Sequence, residues 1–139
     1  MAFSTCSWSR YFHPNLHYNT QYIDQCIKSV LYQTLKNIEI ICIVDDSTDN
    51  AFEKISLYQK NDKRIHILRQ KNQYVGAARN SGLIHASGKY VYFLDSDDFI
   101  EPTCLEKLYV KAEETNADIV LFDGSLYDEN SKTYVKHCF

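Results

Sequence analysis

Three carboxylates arrive within four positions at Asp95-Ser96-Asp97-Asp98, directly after the apolar run Tyr90-Val91-Tyr92-Phe93-Leu94. Like charges this close repel by about 1 kcal/mol per pair at ~4 Å even in water, and by more where water is excluded. A cation offsets that repulsion, and the alternate carboxylates Asp95 and Asp97 suit one shared divalent ion. The competing account is a solvated acidic turn that caps the next helix. A second acidic group, Asp45-Asp46, closes another apolar run, Ile38 to Val44. Between the two lies Asn72 to Gly82, where Gly76, Ala77 and Ala78 keep a helix start slim and Arg79 follows. The planar fork of Arg79 suits a phosphate or a base edge. It equally suits a neighbouring carboxylate, in which case the small residues serve only tight packing.

These groups need elements to hold them. Asn19 or Thr20 can cap a helix whose apolar positions are Tyr22, Ile23, Cys26, Ile27, Val30, Leu31 and Leu35, ending near Asn37. Ile38 to Val44 reads as a strand buried on both faces. Ser47, Thr48 and Asp49 are helix caps in waiting, and Phe52, Ile55 and Tyr58 form the apolar face that follows. Arg64 to Leu68 is a short strand, Val75 to Ala86 a helix with Gly88 just past its end, and Tyr90 to Leu94 the acidic-ended strand. Pro102 suits the first turn of a helix with Leu105, Leu108, Tyr109 and Ala112 inside. Asp118 to Phe122 reads as a further strand, and the tail from Gly124 as a hairpin turning at Asp128-Glu129-Asn130. Alternating helices and strands with short joins predict an α/β fold, a mostly parallel sheet with flanking helices. In such sheets ligands bind beyond the carboxyl ends of the strands. Parallel strands would bring Asp45-Asp46 and Asp95-Ser96-Asp97-Asp98 to one edge, which favours a metal or polar-ligand site.

Composition narrows the field. A chain of 139 residues, 45% apolar and 24% charged, has the makings of one globular domain. A net charge of −3 and the lack of a Lys/Arg block argue against nucleic acid as a partner. No apolar run approaches the ~20 residues of a transmembrane helix, and the N-terminus lacks a signal-peptide core. The five cysteines include no CxxC pair, and Cys26 and Cys42 read as buried thiols in a reducing cytoplasm. The histidines are scattered, with His66 on a strand and His85 on a helix. No GxGxxG follows a strand and no GxxxxGK[ST] exists, which sets aside dinucleotide and P-loop sites.

Taken in order, Val44-Asp45-Asp46-Ser47-Thr48-Asp49, then N-x-x-x-G-A-A-R-N-x-G over Asn72 to Gly82, then FLDSDDFIEP over Phe93 to Pro102 resemble one family. It is the family 2 glycosyltransferases, specifically their nucleotide-sugar-binding half with the GT-A fold. The helix carrying CIKSVLYQT is similar too, and the resemblance runs from about Asn19 to about Phe122. It implies transfer of a sugar from a nucleotide-diphosphate sugar, a UDP-sugar first, to a glycan or lipid-linked acceptor hydroxyl with inversion. The same resemblance gives Asp45 or Asp46 the base, and Arg79 the base or diphosphate. Asp95 would take the ribose or metal, Asp97 a Mg²⁺ or Mn²⁺ ion, and Tyr18 belongs to the same nucleotide site. Asp98 would orient the loop or cap the next helix. Cytoplasmic work, peripheral at the inner membrane face, on surface polysaccharide is the family's usual setting.

The departures shape the expectation further. Tyr18-Asn19 match the family, but Leu16 stands where a proline belongs, and Tyr74 stands where glycine is common. Asp46 runs straight into Ser47 without the residue, often glycine, that usually intervenes. Nothing ahead of Leu16 reads as the family's first strand. Residues 1–18 are therefore expected to be irregular, and residues 19–139 to form a partial GT-A domain. No residue matches the general base of the acceptor half, so the chain reads as a donor half that is inactive alone. Two alternatives stand beside this reading. One is a remnant or interaction module that keeps the fold without turnover. The other is a phospho-receiver-like domain, which would need a Lys at a later strand end where Phe122-Asp123-Gly124 stands instead.

Overall fold

The computed structural model describes residues 3–6, 21–45, 50–71 and 74–136. The chain divides into two compact units, Met1–Glu106 and Lys107–Phe139.

The first unit is built on a four-stranded sheet. Its strands are β1 (Phe3–Cys6), β2 (Ile38–Asp45), β3 (Ile65–Gln70) and β4 (Tyr90–Phe93), in the spatial order β3-β2-β1-β4. Every pairing is parallel. Between the strands run α1 (Gln21–Leu31), α2 (Ala51–Asn61) and α3 (Tyr74–His85). The expected α/β architecture with a parallel sheet and flanking helices is thus what forms.

Burial explains the central position of β2. Ile38, Ile40, Ile41, Cys42, Ile43 and Val44 are all buried, so both faces of the strand are covered. On one face Ile41 and Ile43 pack with Ala78 of α3, with Leu68, Ala86 and Val91 around them. Ala78 is fully buried, so its small side chain serves this close helix-to-sheet approach. Ile55 of α2 and Cys26, Ile27 and Val30 of α1 complete the buried core. Cys26 and Cys42 are buried, and burial together with Cys42 pushes the Cys26 thiol up.

Four expectations need correction. Residues 1–18 are not uniformly irregular: Phe3–Cys6 forms β1, in register with Ile38–Ile41 on one side and Tyr90–Phe93 on the other. Its four residues, Phe-Ser-Thr-Cys, are too short and too polar to show a strand period; two flanking strands hold it instead. Helix α1 stops at Leu31 rather than near Asn37, because the Thr34 N–H leaves the helical ladder and donates to the Pro102 carbonyl at 2.8 Å. Gly88 does not end α3 in a left-handed conformation. Its N–H donates instead to Glu39 Oε1 at 2.9 Å, alongside the Ser87 N–H and hydroxyl. The cap candidates Asn19, Thr20, Ser47, Thr48 and Asp49 lie outside the described residues. At the described N-cap of α2, Asn50, no side-chain cap bond forms.

The fourth correction falls in the second unit. Helix α4 (Cys104–Thr115) runs into it, and Asn116 turns the chain with a φ of 50°. Asp118 to Phe122 does not form a strand; Ile119 and Leu121 are 77% and 91% exposed. An apolar run becomes a strand only when another strand satisfies its backbone. The hairpin does form, as β5 (Ser125–Asp128) against antiparallel β6 (Thr133–Lys136). Asp128 holds its turn by accepting from the Asn130 N–H at 3.0 Å and the Ser131 hydroxyl at 2.7 Å. Across the strands Tyr127 faces Tyr134, with ring centroids 5.1 Å apart.

Candidate functional site

The strand order dictates where a site can form. From β1 the chain moves outward through β2 to β3, then α3 carries it back across the sheet to β4 on the far side of β1. The strand order reverses between β1 and β4, and in open parallel sheets ligands bind beyond the carboxyl ends of the strands at such a point. Asp95 follows β4 by two residues and Asp45 ends β2. Because all strands are parallel, the two acidic ends reach the same edge. The α3 residue Arg79 reaches it from beside the sheet.

Arg79 is the contact that ties this edge together. Its Nη2 donates to Asp95 Oδ1 at 3.1 Å and Oδ2 at 3.4 Å. Its guanidinium carbon sits 5.8 Å from the centre of the Phe93 ring. A further donor, Arg79 Nε, is buried and has no hydrogen-bond partner among the described residues. So Arg79 does pair with a carboxylate, as one of the two accounts of it required, while keeping a donor in reserve. The small residues before it divide the same way. Ala78 packs against the sheet, whereas a side chain added at Gly76 would meet nothing within 4 Å. That open space lets a ligand approach the helix start.

Asp97 is exposed and Asp95 half-buried, in a turn closed by the Asp98 N–H donating to the Asp95 carbonyl at 3.1 Å. Partial removal from water, then the charges of Asp97 and Asp95, push the Asp98 carboxyl above its ordinary value. The crowding inferred from sequence is therefore felt by the third carboxylate. Among the described residues no three His, Cys, Asp or Glu side chains gather into a metal cage. Asp95 and Asp97 offer hard oxygen donors, the type that suits Mg²⁺ or Mn²⁺. Tyr18 and Asp46 lie outside the described residues, and Asp45 is placed by its backbone alone.

Two participants escaped the sequence reading. Gln70 pairs in register with Asp45 and so stands at the same edge. Its Oε1 accepts from the Ser81 hydroxyl of α3 at 3.0 Å, and its buried Nε2 has no partner. Phe93, 41% exposed, gives Arg79 an aromatic face. A glutamine in Arg-Gln-Lys-Asn carries no mark of its neighbours, so only the register could reveal it. Phe93, the second of the two adjacent aromatics that end Tyr-Val-Tyr-Phe, could have been suspected, because period 2 would alternate their faces.

Known proteins give the same picture. Residues 16–138 match the model of glycosyl transferase family 2. The glycosyltransferase GlyG of Streptococcus pneumoniae is 38% identical over 119 residues, which are 84% of this chain and 40% of GlyG. Staphylococcus aureus TarS, in its 1–349 crystal structure, superposes with a TM-score of 0.62 at 19% identity, covering 92% of this chain and 39% of that one. A mannosyltransferase from Pyrobaculum calidifontis, solved with GDP-Man and Mn²⁺, gives a TM-score of 0.62 at 16% identity, over 84% of this chain and 32% of its own. The fold is of the GT-A type, and this chain spans less than half the length of each of these proteins. Among the described residues no helix is long and apolar enough to cross a membrane. With the match extending over nearly all of its length, the chain belongs to glycosyl transferase family 2.

Proposed function

We propose that this chain is the donor-binding half of a glycosyltransferase that moves a sugar from a nucleotide-diphosphate sugar, a UDP-sugar, to an acceptor hydroxyl with inversion. The observation that carries the reading is the meeting of Arg79 and Asp95 just beyond the carboxyl end of β4. Asp45 or Asp46 holds the base, with Tyr18 in the same nucleotide site. Arg79 releases Asp95 on donor binding and turns to the diphosphate, where a charge-assisted bond replaces the one it gives up. Its spare Nε donor and that of Gln70 gain acceptors at the same time. Unpaired buried donors cost about 1–3 kcal/mol each, so a ligand rich in oxygen acceptors suits the edge. Asp95 is then free for the ribose or metal, and Asp97 for the metal. A divalent cation bound there would neutralise the departing diphosphate.

A glycan or a lipid-linked sugar supplies the acceptor hydroxyl. We assign the work to the cytoplasmic face of the inner membrane, the setting that the family resemblance implies.

Thermal unfolding with and without UDP and Mn²⁺, beside an Asp97→Ala variant, tests the reading. Ligand at ~100 times its Kd adds ~2.7 kcal/mol, a shift of several degrees in a domain this size. The expected shift needs the metal and disappears in the variant. A cooperative transition that ignores UDP, GDP and dTDP alike would overturn it in favour of an interaction module that keeps the fold.

A further inference from the structure

One face of α1 grips the acidic loop along much of its length. Cys26 Sγ donates to the Asp95 carbonyl at 3.5 Å. One turn on, Ser29 Oγ accepts from the Ile100 N–H at 3.2 Å while donating to the Cys26 carbonyl at 2.7 Å. Just past the helix end, Gln33 spends its whole amide on the same task. Its Nε2 donates to the Glu101 carbonyl at 2.7 Å and to the Ser29 carbonyl at 2.9 Å, and its Oε1 accepts from the Leu105 N–H at 2.9 Å. Gln33 is fully buried, the one buried polar side chain among the described residues. Thr34 adds its backbone N–H to the Pro102 carbonyl at 2.8 Å.

Positions three apart on a helix share a face, so Cys26 and Ser29 pin two points of the loop from one side. Asp97 lies between those points, in the short bridge from Asp95 to Ile100. A bridge held at both ends keeps few conformations, and its carboxylate direction is set by where the ends are held. A site that shares a cation with a diphosphate needs that direction fixed before the ligand arrives.

We infer that the α1 face Cys26–Ser29–Gln33 is the positioning element of the acidic loop, with Gln33 its principal positioning residue acting through Asp97. The inference rests on the donor-site reading of Asp97 given above. Fully satisfied buried amides of this kind specify one arrangement, and removing one strands its partners. Gln33→Leu keeps the bulk and removes all three bonds. Ser29→Ala removes one and serves where Gln33→Leu folds poorly.

The experiment pairs two measurements on the folded chain. Amide hydrogen exchange should show the Ile100 and Leu105 amides at least tenfold less protected in Gln33→Leu, with β2 amides unchanged. Mn²⁺–UDP affinity, followed by the loss of the free Mn²⁺ resonance signal, should fall at least tenfold in both variants. An Ile55→Val core variant, losing stability at a distance from the loop, should bind like the wild type. Unchanged loop protection overturns the inference, as does wild-type affinity in Gln33→Leu despite a loosened loop. A wild-type chain that takes no Mn²⁺–UDP overturns the donor-site reading instead, and the exchange result then decides whether the clamp exists.

Discussion

Arg79 Nη2 stands 3.1 Å from Asp95 Oδ1, joining α3 to the turn after β4 through side chains that are each about two-fifths exposed, at 41% and 43%. Exposure decides what this ion pair is worth. Pairs that share their charges with water contribute about 0–1 kcal/mol to stability. A charge-assisted bond to a ligand is worth about 1.5–3 kcal/mol, and each 1.4 kcal/mol is tenfold in affinity. Arg79→Ala should therefore leave the denaturation midpoint almost unmoved and weaken UDP binding by roughly 10- to 100-fold. Calorimetric titration beside a urea melt separates the two. A large loss of stability with little loss of binding would mean that Arg79 serves the fold.

Asp98 supplies a test of charge crowding. Its pKa is raised, first by partial removal from water and then by Asp97 and Asp95. A carboxyl raised in the folded state prefers its proton there. At pH 7 it is ionised in both states, so the folded state bears the repulsion; below the unfolded value of ~3.9 both states are neutral and the penalty is gone. Asp98 is exposed and its repulsion is screened by water, so Asp98→Asn should stabilise the chain by only a few tenths of a kcal/mol, about 0.5 at most, at pH 7. The gain should shrink as the pH falls through the raised value and be absent by about pH 3.5. Urea melts at the two pH values measure it. An equal gain at both would point to packing rather than charge.

What could be read from the residues follows from how locally each feature is determined. Ile38 to Val44 announces a strand because a run of buried β-branched residues has few other uses, and that strand forms. Asp118 to Phe122 has much the same look, yet Ile119 and Leu121 are exposed. A ladder is made with a partner, and a run of side chains carries no information about one. Phe3–Cys6 is the reverse case, a strand made by its neighbours with almost no period of its own. At the site, Asp95, Asp97 and Arg79 stood out by type and spacing, and Arg79 and Asp95 do meet. Gln33 did not stand out, because a buried glutamine with three bonds and an exposed one are the same letter.

Between α1 and α2, Asp24 accepts from Tyr58 Oη at 2.9 Å and pairs with Lys54 Nζ at 2.7 Å. Burial opposes its charge, but the bonds to Lys54 and Tyr58 outweigh it and hold the carboxyl below its ordinary value. Burial and the bond to Asp24 push Tyr58 up to about 12. The signs run opposite ways in pH. The Asp24 contribution is present above the unfolded carboxylate value and lost as the pH falls through the depressed one. The Tyr58 contribution is present below ~10 and lost as the pH rises toward its folded value. With Asp24 about a third exposed, at 36%, screening limits the whole cluster. Asp24→Asn should cost roughly 0.5–1 kcal/mol at pH 7 and progressively less at acid pH as the carboxyl takes up its proton. An equal cost at acid pH would show that the loss is one of shape.

The place of β1 carries the most for the fold. Phe3–Cys6 lies between β2 and β4, so its backbone bonds outward on both sides. Without it the sheet would split into a β2–β3 pair and a lone β4. Proline inside a central strand removes a ladder donor and brings its ring against the neighbouring chain, at a cost of about 3 kcal/mol or more. Set against a typical total of ~5–15 kcal/mol, that is a large fraction. Thr5→Pro should lower the melting temperature by roughly 10 °C, since each kcal/mol moves a chain of this size by a few degrees. Amide exchange across β2 and β4 should accelerate with it, because Ile40 and Tyr92 face Thr5 in register. A variant that melts where the wild type does, with those amides still protected, would show that some other segment fills the centre of the sheet.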